Sequence, residues 1–69
     1  MKKEQFKMDY SKLIKKLREK MIVTQTELAS LLGVTFGTVN RWENGKHEPT
    51  MKEKRKLAEL FAKYNIEVE

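Results

Sequence analysis

Apolar residues return along most of this chain every three or four positions, the period of a helix with one buried side, and four such segments can be marked. In the first, Leu13, Leu17 and Met21 repeat every four residues with Tyr10 and Ile14 beside them, while Lys12, Lys15, Lys16 and Glu19 cover the rest. Asp9 or Ser11 can cap this segment, which predicts a helix over about 9–21. In the second, Leu28, Ala29, Leu31 and Leu32 share one side, and Thr26, Glu27 and Ser30 the other. Thr24 is placed as its N-cap, Glu27 completes the capping-box spacing, and Gly33 supplies a left-handed stop, so the helix covers about 25–32. Val34 is an apolar plug, and Thr35 caps a third helix over about 36–44 that ends at Asn44-Gly45. In the fourth, Leu57, Leu60, Phe61 and Tyr64 make the buried stripe with Ala58 beside them. Pro49 precedes its cap Thr50, Glu53 repeats the capping box and Asn65 is the stop, giving about 51–64. Ile66-Glu67-Val68-Glu69 alternates like a short strand, but four residues are too few to decide.

The pattern therefore predicts an all-α chain, a compact four-helix bundle in one domain over 9–65, with an arm at 1–8 and a tail at 66–69. Phe6 and Met8 are the only large apolar side chains of the arm besides Met1, and both a frayed arm and an extra N-terminal helical turn fit it. Sixty-nine residues make only a small core, and a chain with no cysteine has neither a disulfide nor a thiolate metal site to staple it. The absence of cysteine fits a reducing cytoplasm, the expected compartment. No apolar run approaches the length of a membrane helix, and no apolar segment follows the basic N-terminus as a signal peptide requires.

The third segment departs from the other three. Val39 and Trp42 point to the core with Thr38 flanking them, but Gly37, Asn40, Arg41 and Asn44 point away from it, and Phe36 sits at the lip. This outer face carries two amides, a guanidinium and a glycine that allows close backbone approach. No core needs it.

Charge sharpens the picture by its placement. Fifteen Lys+Arg against ten Asp+Glu give a formal charge of +5. Eight of the basic residues lie in Met1–Lys20, and Lys52, Lys54, Arg55 and Lys56 cluster at the start of the last helix. Between Met21 and Asn40 there are none. A nearly neutral centre with positive flanks suits phosphate contact around a groove-reading helix, although a solvated lysine-rich surface gives the same count.

Together, Thr24-Gln25, Glu27-Leu28-Ala29, Leu32-Gly33-Val34, Thr38-Val39, Arg41-Trp42-Glu43-Asn44-Gly45-Lys46 and Pro49 resemble the phage-repressor type of helix-turn-helix domain, the lambda-repressor-like or Cro-like (XRE) family. The likeness runs from about Leu13 to Phe61. It implies a helix-turn-helix made by helices two and three, and double-stranded DNA as partner. Arg18 and Glu43 fall where the family places a structural ion pair. Phe36, Gly37, Asn40 and Arg41 would face the major groove. Arg41 suits guanine O6/N7, Asn40 suits adenine or a phosphate, and Phe36 suits a thymine methyl or folds back on the core. Thr24 and Gln25, at a helix N-terminus, are placed for a phosphate, and Thr38, Asn44, Lys46 and Thr50 are the further backbone contacts that the likeness implies. A monomer this small would offer too few contacts for tight specific binding, so the expected assembly is a weak homodimer through the fourth helix or the tail.

Catalysis finds little support. His47 is the only histidine, in a predicted loop with no cysteine and no obvious serine partner, so neither a triad nor a zinc site is indicated. The glycines are turn residues and form no phosphate-cradling loop, and no cofactor is implied. The function expected is sequence-specific DNA binding by a prokaryotic or phage transcriptional regulator. Two alternatives stay open: a protein-interaction module such as an antitoxin or adaptor, and a DNA-targeting domain of a larger system.

Overall fold

A computed structural model describes residues 9–67; the arm Met1–Met8 and the tail residues Val68 and Glu69 lie outside the described residues. Four helices follow one another: α1 (Tyr10–Met21), α2 (Gln25–Leu32), α3 (Phe36–Glu43) and α4 (Met51–Lys63), with no strand among the described residues. The all-α bundle expected from the pattern is the architecture found.

Each helix opens on a side chain that accepts from its exposed backbone N–H groups. Asp9 caps α1 by accepting from Lys12 N, and Thr35 caps α3 by accepting from Thr38 N. Thr24 and Thr50 go further. Each accepts from the backbone N–H three residues on, while Glu27 or Glu53 accepts from the cap's own N–H at 2.8 Å, two complete capping boxes.

The four helices also end alike. Ile22, Gly33, Gly45 and Asn65 all take a positive φ, between 58° and 73°. The next residue then donates back five positions: Val23 to Arg18 O, Val34 to Ala29 O, Lys46 to Arg41 O and Ile66 to Phe61 O, at 2.8–3.2 Å. These are Schellman closures, which pair carbonyls that a helix end leaves free and reverse the chain sharply. In three of the four the reversal turns the following residue inward, whereas Lys46 stays exposed. Ile66 is thereby buried, and Val23 and Val34 pack against the core. The strand-like alternation at Ile66-Glu67 is thus overruled by the turn at Asn65. Among the described residues Ile66 is the last of the core and not part of a strand.

The core joins all four helices through Ile14, Leu17, Leu28, Ala29, Leu32, Val39, Trp42, Leu57, Phe61 and Ile66. α3 packs against both α1 and α2. One apolar assignment fails: Leu31 is 62% exposed. At about 100° per residue it lies roughly 100° round from the centre of the Leu28–Ala29–Leu32 stripe, too far to follow it inward. Ala58 is exposed for the same reason, turned about 100° from Leu57. Leu60 and Tyr64 pack only on the margin of the core. Lys56 ties α4 to α2 by donating from Nζ to the free carbonyl of Leu32 at 3.2 Å. A cation is favourable at that negative helix end.

Candidate nucleic-acid interface

The outer face of α3 is built by exclusion. Val39 and Trp42 are fully buried and fix the helix by its inner side, so Phe36, Gly37, Asn40 and Arg41 are left on the outer one. Phe36 is 51% exposed and stands outside the core cluster, so it does not fold back as a core residue. Arg41 is exposed, and its guanidinium has no hydrogen-bond or ion-pair partner among the described residues. Gly37 lies beneath it: a Cβ built at Gly37 would sit 3.4 Å from Arg41 Nη1. That is ordinary contact distance, so the guanidinium lies along the helix surface beside Gly37.

The residues with expected backbone contacts frame this face. Thr24 and Gln25 mark the N-terminal end of α2, and Thr50 that of α4, both exposed caps with free N–H groups behind them. Asn44 and Lys46 follow α3 directly and are exposed. Thr38 is half-buried, its hydroxyl 2.9 Å from that of Thr35. None of these side chains belongs to the core.

Behind the face runs a set of polar groups. Arg18 on α1 donates from Nε to Glu43 Oε2 at 2.7 Å and from Nη2 to Glu43 Oε1 at 3.0 Å, a two-pronged pair that closes α1 onto the end of α3. Glu43 is only 4% exposed. Burial alone would push its carboxyl up, but hydrogen bonds from Arg18 and Gln25, with the attraction of the Arg18 charge, outweigh it and hold the group below the usual carboxylate range. Arg18 is correspondingly raised by its bond to Glu43. Gln25 donates from Nε2 to Glu43 Oε1 at 2.9 Å, Asn40 donates from Nδ2 to Gln25 Oε1 at 3.3 Å, and Asn44 donates from Nδ2 to Asn40 Oδ1 at 3.1 Å. Sequence periodicity places Gln25 and Asn40 each on its own helix. It does not report that the α2–α3 crossing brings them together, and the signal was only that both are amides on facing elements.

A buried amphipathic pair of short helices, joined by a glycine turn and leaving one polar helix face free, is a docking arrangement for a DNA groove. The Helix-turn-helix family model matches residues 14–67, from α1 through the closure of α4. The chain belongs to this family. Its type is that of Cro and lambda repressor, as the Arg41–Lys46 segment and the glycine turn had suggested, and DNA binding of the transcription-regulator kind is its general function. Catalysis is not typical of the family. Comparison with curated proteins and with solved structures gave no significant match. No helix among the described residues is long and apolar enough to cross a membrane.

Proposed function

We propose that this helix-turn-helix protein binds double-stranded DNA sequence-specifically, as a prokaryotic or phage transcriptional regulator, with α3 in the major groove. The observation that carries the reading is Arg41: an exposed guanidinium without a partner among the described residues, on the face of α3 that the fold leaves unused. A guanidinium so placed matches the paired acceptors O6 and N7 of guanine. Asn40 reads an adjacent base, Phe36 offers an apolar edge to a thymine methyl, and Gly37 lets the helix backbone come close. Thr24, Gln25, Thr38, Asn44, Lys46 and Thr50 hold the phosphates on either side, so that backbone contacts set position and base contacts set sequence. Two copies would bind half-sites about one helical turn apart, roughly 34 Å. The dimer is weak and uses α4 or the tail.

Selection of binding sequences from a random duplex pool at two salt concentrations tests this reading. A palindromic motif supports a dimeric regulator, and a single short half-site supports a monomeric or targeting domain. Salt-sensitive binding with no motif would overturn sequence specificity. A second reading, docking of a protein partner, is favoured by a mainly apolar groove of about 470 Å³ between Tyr10, Met51, Phe61 and Ile66, with Lys54 and Arg55 also in its lining and no residue from α3. Failure of duplex DNA to compete such a partner off would show that the two faces are separate.

A further inference from the structure

We infer that Gln25 acts as a specificity-determining residue through Asn40, because the buried Glu43 carboxylate dictates, by way of Gln25, which way the Asn40 amide faces. The inference rests on the reading of Asn40 as a base contact. Its premise is the direction of each bond. A carboxylate only accepts, so the Gln25 atom 2.9 Å from Glu43 Oε1 must be the amide nitrogen. Gln25 Oε1 is therefore turned the other way and must accept, which obliges Asn40 to present Nδ2 to it at 3.3 Å. The remaining Asn40 atom, Oδ1, then accepts from Asn44 at 3.1 Å. The chain Glu43, Gln25, Asn40, Asn44 thus runs in one sense from a fixed charge to the exposed face of α3.

An unsupported asparagine amide can turn over, exchanging donor for acceptor and losing half of any preference between a base that needs both and one that needs neither. Here the turn is opposed at Gln25, since a flipped Asn40 would set Oδ1 against Gln25 Oε1. Each Asn40 polar atom still keeps a second bonding position, one N–H and one lone pair, the complement of adenine N7 and N6. Gln25 is half-buried and engaged on both its polar atoms. Its side chain is therefore committed to positioning Asn40, which leaves the phosphate contact of Gln25 to its backbone N–H at the start of α2.

The test compares wild type, Gln25→Ala, Asn40→Ala and the double variant on the duplex selected from a random pool and on its single-base-pair variants. Asn40→Ala should erase the preference at one base pair by about tenfold, the worth of one paired amide contact. Gln25→Ala should lower the preference at that same pair, with the salt slope unchanged, and should add nothing in the Asn40→Ala background, as coupled residues do. Uniform weakening on every duplex by Gln25→Ala, with a salt slope shallower by about one, would make Gln25 a phosphate contact and overturn the inference. An Asn40→Ala variant with unaltered base preference would overturn the base-reading of Asn40 itself, a separate failure. Side-chain amide resonances of the free protein give a reading without DNA. The Asn40 amide should be protected from exchange in wild type and lose that protection in Gln25→Ala, and equal exchange in both would refute the chain of bonds.

Discussion

Ile22 carries an unusual local cost. It is β-branched, has φ of 58°, and is 88% exposed, so it holds a left-handed turn without contributing to the core. Side chains with a Cβ lose roughly 1–2 kcal/mol in that region, and glycine gives back about 0.5–1 kcal/mol through its freer unfolded chain. Ile22→Gly should therefore leave stability unchanged or raise it by up to about 1 kcal/mol in urea unfolding. A loss of about 2 kcal/mol or more, the size of a buried truncation, would contradict this account of the turn. Gly37 shows the reverse balance, since its φ is ordinary and its neighbour is Arg41. Gly37→Ala should raise the melting temperature by a few degrees through helix propensity. It should also weaken cognate DNA binding by holding the helix backbone off the groove, while Arg41, whose Nη1 a Cβ would meet only at ordinary contact distance, keeps its place. Unchanged affinity for cognate DNA, measured beside the melt, would show that the close approach at Gly37 has no part in recognition.

At the scale of elements, the Arg18–Glu43 pair decides how α1 meets the end of α3. Arg18→Met strands a buried carboxylate and should cost about 3 kcal/mol, whereas the double variant Arg18→Met/Glu43→Leu should recover most of it. A double variant as unstable as the single one would mean the side chains matter for packing rather than charge. The pH dependence follows from the sign of the shift. Glu43 is depressed in the folded state, so its contribution is fully present above its unfolded value of roughly 4.3 and is lost as pH falls through the lower folded value. Acid unfolding followed by circular dichroism should lose part of its slope below about pH 4 in Glu43→Gln. An unaltered acid transition would remove the pair from the account.

The same elements show what the residues alone could disclose. Caps and periodicity are local, so Thr24 with Glu27, Thr50 with Glu53 and the four apolar stripes are readable within a few positions of chain. The faces misjudged, Leu31 and Ala58, lie at stripe margins where one residue's angle decides burial and neighbouring helices set the limit. At Ile66 the alternation leaves the question open, and a single left-handed residue, Asn65, decides it by turning Ile66 into the core. The candidate interface follows the same rule. Gly37, Asn40 and Arg41 are legible as an outer face, but the bond from Gln25 to Asn40 depends on how two helices cross, fifteen positions apart in the chain.

For the whole molecule, the proposal joins two halves, phosphate neutralisation by basic residues and base reading by α3. About six phosphate contacts would give a log–log salt slope of roughly −5. A slope near zero would remove the electrostatic half of the proposal. Specificity is the other half, and Arg41 is its most direct test. The measurement is the ratio of affinities for the selected duplex and a scrambled one, taken for wild type, Arg41→Ala and Lys46→Ala at one salt concentration. The account predicts that Arg41→Ala lowers the ratio about tenfold or more, while Lys46→Ala weakens both duplexes together and leaves the ratio standing. Equal losses on both duplexes for both variants would contradict it, leaving α3 a surface that holds DNA without reading it.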